Sequence, residues 1–134
     1  MKENEAFARD IIDIKIYSDR LIEKMENGRR SFTVQDQMLY MIVNEGPLSP
    51  RTMVDRLNIV KTNLALQAKV MLDNGLIIKR HIPQNNKEIE YVATEKGKKV
   101  LQDSLNEISS KFVGIDKELA KRVSVVCKDL KNLK

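Results

Sequence analysis

The sequence predicts a mainly α fold (α+β), six helices with one β-hairpin let in between the fourth and the fifth. Apolar residues recur at helical spacing through most of the 134 residues. The period drops to alternation only over 76–92, where two short strands are expected. Hydrophobic residues make up 42% of the chain but aromatics only 4%, with no Trp, so aliphatic side chains and Met must fill the core. That balance suits helix-on-helix packing better than a β-sandwich.

The first helix is read from Phe7, Ile11, Ile14, Leu21 and Met25, with Ile12, Ile16, Tyr17 and Ile22 widening the stripe. A stripe this broad buries more than one face, as a helix shared with a dimer partner would. Asn27-Gly28 ends it. Thr33 opens the second helix with Asp36 as a capping-box acid, and Met38, Leu39, Met41, Ile42 and Val43 make it almost wholly buried. Glu45-Gly46-Pro47 stops it. Ser49 as N-cap and Pro50 at the first helical position start a short third helix with Met53, Val54 and Leu57 inside. Asn58-Ile59-Val60 is a tight connection, since Asn tolerates positive φ. The fourth helix, Lys61 to Asn74, buries Leu64, Ala68, Met71 and Leu72 and ends at Gly75.

Leu76–His81 and Glu88–Val92 then alternate as two strands, with Ile82–Lys87 as the polar turn between them. Thr94 opens the fifth helix, which carries Val100, Leu101, Leu105, Ile108 and Phe112 inside until Gly114 breaks it. From Asp116 the last helix carries Leu119, Val123, Val126, Leu130 and Leu133, a seam in alternating steps of four and three that wants another helix against it.

Short helix, tight turn, helix and hairpin in that order make a winged helix-turn-helix with a two-stranded β-wing, flanked by N- and C-terminal dimerisation helices. We expect one domain over 1–134. Within it, 33–93 forms the lobe that addresses DNA, and 1–27 with 95–134 the helical dimerisation region.

Net charge agrees without deciding. The chain holds 24 Lys and Arg against 19 Asp and Glu, a net charge of +5. Such a balance fits nucleic acid first and a membrane surface second, or simply Lys-rich solvated helix faces. Acidic Asp116, Glu118 and Asp129 interrupt the basic C-terminal helix, which argues against a membrane partner. The charged start from Lys2 is no signal peptide, and no apolar run approaches the ~18–20 residues that span a bilayer. A cytoplasmic protein is expected. Nothing resembles a catalytic set, so no enzyme and no cofactor are expected. His81 and Cys127, each the only one of its kind, do not make a metal site. Cys127 reads as a buried small hydrophobe beside the last seam, with redox sensing as the alternative.

The fourth helix would turn Thr62, Asn63, Leu66, Lys69, Val70 and Asp73 outward, with Gln67 at the edge. Thr62, Asn63 and Gln67 have the chemistry for base edges; Leu66 and Val70 suit thymine methyls or a protein partner. Arg51, Lys61, Lys69, Arg80 and Lys87 are phosphate candidates, with Arg56 and Arg29-Arg30 behind them; each alone is also ordinary surface charge.

The stretch MVDRLNIVKTNLALQAKVMLDNGLIIKRHIPQNNKEIEYVATEKGKKVL, residues 53–101, resembles the multiple-antibiotic-resistance regulator (MarR) family. Leu57, Lys61, Gly75-Leu76, Lys79-Arg80 and Thr94-Glu95-Lys96-Gly97 sit where that family's pattern puts them, and the flanking helices match in order and length. The resemblance implies a homodimer on a pseudo-palindromic operator in double-stranded DNA. It implies a transcriptional regulator, usually a repressor, released by a small-molecule effector or a redox signal received between dimer region and DNA lobe. The chain departs from the pattern at Asn85-Asn86-Lys87, where the wing usually carries Asp and Arg. It departs also at Leu66, where a polar residue is common, and at Val60, where a Ser-like cap is expected. The alternative these departures motivate is a winged-helix dimer serving as a protein–protein interaction module.

Overall fold

A computed structural model describes residues 2–23 and 32–133. Its elements are α1 (Glu3–Glu23), α2 (Val34–Glu45), α3 (Pro50–Leu57), α4 (Lys61–Asp73), β1 (Ile77–Ile82), β2 (Asn85–Ala93), α5 (Glu95–Ser110) and α6 (Lys117–Lys131). Met25, the expected helix end at Asn27-Gly28 and the pair Arg29-Arg30 lie outside the described residues.

Local signals set most boundaries. Thr33 caps α2, its hydroxyl accepting from the Asp36 amide at 3.3 Å while the Thr33 amide donates to Asp36 Oδ2 at 3.1 Å. Asp36 does more than cap: buried at the α2–α5 contact, it also accepts from Ser104 Oγ at 3.1 Å and so ties the two helices. Ser49 caps α3 with Pro50 at its start, and Asn58 turns the chain in the left-handed region at φ 53°. α4 closes as a Schellman motif: Gly75 at φ 73° donates to the Leu72 carbonyl at 3.1 Å, and Leu76 donates to the Met71 carbonyl at 2.9 Å.

The core gathers under the hairpin. Met38, Leu39 and Ile42 of α2 meet Met53 of α3, Leu64, Ala68 and Met71 of α4, Leu76, Ile77 and Tyr91 at the base of the hairpin, and Leu101 of α5. Val43 departs from expectation: it stands exposed, because α2 packs on α4 and α5 along one side only.

The hairpin differs from the sequence reading at its tip. Ile82 and Asn85 pair around a two-residue turn at Pro83-Gln84, so Ile82 and Asn85–Lys87 belong to strands and not to a six-residue turn. Regular pairing joins Ile77–His81 to Ile89–Ala93, and the register breaks between His81 and Ile82. The surplus residues of β2 are taken up there, with Asn85 Oδ1 accepting from the Lys87 amide at 3.1 Å. A third short segment adds to the hairpin: Leu48 pairs with Tyr91, the Tyr91 amide donating to the Leu48 carbonyl at 2.8 Å.

The helices at the ends pack least. Phe7, Ile12, Ile14, Ile16, Tyr17 and Leu21 of α1 stand exposed, as do Leu119, Val123 and Val126 of α6. Cys127 is exposed too, against the expectation of a buried thiol, because the described residues leave most of the α6 seam beside it uncovered.

One contact admits no side chain. A Cβ on Gly97 would fall 2.1 Å from the Leu76 carbonyl oxygen, backbone against backbone. Around it the Thr94 hydroxyl donates to the Gly75 carbonyl at 2.6 Å and accepts from the Gly97 amide at 3.0 Å, while the Thr94 amide donates to the Leu76 carbonyl at 3.1 Å. Gly97→Ala therefore costs about 3 kcal/mol or more. Gly75→Ala, with open space around it, costs only the left-handed strain of about 1–2 kcal/mol. Urea midpoints of the two variants give this order, and equal losses would show that α5 can shift to make room.

Candidate nucleic-acid interface

Three elements converge on one open cleft. The N-terminal turns of α3 and α4 and the strand β2 enclose an open cleft of about 540 Å³ lined by Ser49, Arg51, Thr52, Lys61, Glu88 and Ile89, among others. Arg51 and Lys61, predicted from sequence, are thus brought together, and both are exposed. Glu88, which sequence reading did not single out, adds one carboxylate to the lining of the same cleft.

α4 presents the expected outward arc. Thr62, Leu66, Lys69 and Val70 are exposed, while Asn63 and Gln67 are half-buried at its edge. The two amides are tied to each other and to α2: Gln67 Nε2 donates to Asn63 Oδ1 at 3.3 Å, and Gln67 Oε1 accepts from Gln35 Nε2 at 2.9 Å. Gln35 was missed in the sequence; its one signal is a polar side chain in the first turn of a helix that is otherwise largely apolar. Val60 has the extended backbone of an N-cap but no capping hydrogen bond, so the first amides of α4 have no side-chain acceptor from that position.

Several predicted cations are already paired. Lys69 Nζ lies 3.2 Å from Asp73 one turn further along α4, and Arg80 Nε lies 2.8 Å from Glu90 directly across the hairpin. Arg56 pairs with Glu45 at the end of α2. Lys87 stands exposed where the hairpin register breaks, and His81 is exposed on β1. Among the described residues no three His, Cys, Asp or Glu side chains are grouped to hold a metal ion, and no helix is long and apolar enough to cross a membrane.

No protein-family model matches the sequence, and no curated protein matches it. Solved structures do match in fold. The transcriptional regulator BldR from Sulfolobus solfataricus superposes with a TM-score of 0.69 at 15% identity, over 99% of this chain and 100% of that one. A MarR transcriptional regulator from Methanosarcina mazei gives 0.64 at 19% identity, over 96% and 99%. Bordetella bronchiseptica BpsR, whose DNA binding is regulated by 6-hydroxynicotinic acid, gives 0.67 at 12% identity, over 100% and 99%. The structural neighbours are MarR-family transcriptional regulators, and the chain has their fold: a winged helix with a β-wing between terminal helices.

Tyr91 joins the wing to the helices, and burial pushes its phenol above the usual value. A folded-state value above the unfolded one leaves stability intact below about pH 10 and erodes it as pH rises from there through the folded value. Tyr91→Phe removes that part of the alkaline loss, so urea midpoints measured from about pH 9 to 11 should fall less steeply in the variant than in the wild type. Parallel curves would show that the phenol titrates alike in both states.

Proposed function

We propose that the protein is a DNA-binding transcriptional regulator, acting as a homodimer on a pseudo-palindromic operator and repressing by occupying it. The observation that carries this reading is the convergence of Arg51 and Lys61 on one cleft at the exposed face of α4 and the wing. Phosphate contacts from Arg51, Lys61 and Lys87 would fix the register, with Lys69 and Arg80 joining by exchanging their carboxylate partners for phosphate. Thr62, Asn63, Leu66 and Gln67 would face the major groove.

The dimer rests on the uncovered apolar faces of α1 and α6. Large aliphatic side chains along two whole helices are a liability in water unless another surface removes them from it. A second copy supplies such a surface and spaces two reading helices for two half-sites. In this reading 1–27 and 95–134 form the dimerisation region, and 33–93 the DNA-binding lobe. A small-molecule effector, or oxidation of Cys127, would act in the second cleft, of about 860 Å³, where Cys127 and Lys131 of α6 face Tyr40, Met41 and Asn44 of α2.

Fluorescence anisotropy on the protein's own upstream DNA and on a scrambled duplex tests the reading. Preference for the upstream fragment, lost steeply between about 50 and 200 mM salt, is expected, and Lys61→Ala should lower the salt slope by about one per subunit. Equal weak binding to both duplexes would overturn it in favour of a protein-interaction module. Val123→Asp should yield a monomer by sedimentation and weaken operator binding by roughly a hundredfold. A monomeric wild type would refute the dimer.

A further inference from the structure

The outward line of α4 is apolar where a reading helix would ordinarily offer hydrogen bonds. Thr62, Leu66 and Val70 follow one another at four-residue steps and so share one line along the helix. Leu66 is 60% exposed and Val70 38%. Of the polar groups beside them, Gln67 is held between Gln35 and Asn63, and Lys69 reaches along the surface to Asp73, away from the line.

We propose that Leu66 and Val70 read thymine methyl groups, so that the operator is specified in each half-site chiefly by the position of its thymines. This rests on the DNA-binding reading above. Thymine is the one standard base with a methyl group in the major groove, and an aliphatic side chain recognises it by removing it from water. From Thr62 to Val70 the line runs about 12 Å. At a rise of about 3.4 Å per base, that covers three to four successive base pairs. Charge argues for DNA over a protein partner as the occupant. The first turn of α4 holds no acidic residue, Lys61 stands at its start with Arg51 beside it, and the helix's one acid, Asp73, is at the far end and paired.

The test is a cycle in which protein and DNA are each changed. Wild-type protein and the Leu66→Ala/Val70→Ala variant are titrated onto the upstream duplex and onto the same duplex with every thymine replaced by uracil, which removes only the methyls. Wild type should bind the uracil duplex about tenfold more weakly across two half-sites. The variant should bind both duplexes alike, near the level of wild type on uracil. Equal wild-type affinity for the two duplexes overturns the proposal, as does a variant that loses as much on uracil as wild type does. In either case wild type still prefers the upstream thymine duplex to a scrambled one; loss of that preference is the separate result that sinks the DNA-binding reading and this proposal with it.

Discussion

The close approach of Gly97 to the Leu76 carbonyl is the constraint on which the arrangement of the lobe depends. Leu76 is at once the last residue of the Schellman closure of α4 and the step into β1, and Thr94, three residues before Gly97, caps α5 while bonding back to Gly75. The end of α4, the root of the wing and the start of α5 therefore meet at one joint made of backbone. Lys96 adds a fourth tie, its ammonium donating to the Asn74 carbonyl at 2.8 Å. A joint without interposed side chains has little freedom to adapt, so the direction of α4 is set by the direction of α5.

A second tie works at the other end of the lobe. Asp36 satisfies the start of α2 and reaches Ser104 of α5, so α5 is fixed to the lobe both at its first turn and near its middle. With α5 held, the core of α2, α4 and the hairpin closes on itself. α1 and α6 are then left with apolar faces exposed among the described residues. The contrast is physical: the lobe completes its own burial, and the terminal helices do not.

What the sequence made legible follows the range of the interactions. Caps and turns are decided by neighbours in the chain, so Thr33 with Asp36, Ser49-Pro50, Asn58, Gly75 and Thr94 could be placed by their own chemistry, and the order of elements with them. The tip of the wing could not, because its register is settled by pairing across the hairpin, where the surplus residues of β2 are absorbed between His81 and Ile82. The Leu48–Tyr91 bridge and the Gln35–Gln67 hydrogen bond join residues far apart in sequence, and neither leaves a local signal. Cys127 departs from expectation for a related reason: the seam beside it is legible, but whether the described residues cover that seam is settled by long-range packing, and they leave the thiol exposed. Candidate contacts on α4 were legible as a face because helical periodicity defines one, whereas the bonding of Asn63 and Gln67 to partners within the protein was not.

The paired cations bear on how such a face would act. Lys69 with Asp73 is an ion pair at the surface, and a pair of that kind contributes only about 0–1 kcal/mol, whereas Arg80 pairs with a largely covered Glu90. A phosphate could therefore displace Asp73 from Lys69 at small cost, and Arg80, bonded to Glu90 through Nε, still has its terminal nitrogens to offer. The pairs hold the cations in place more than they neutralise them. In the proposed regulator, affinity would draw on an electrostatic reserve that is ordered in advance, while the side chains left to distinguish sequences would be the few that the protein has not bonded to itself. On α4 those are chiefly the Thr62 hydroxyl and the aliphatic line beyond it, so charge would govern how tightly the face binds and apolar contact where it binds.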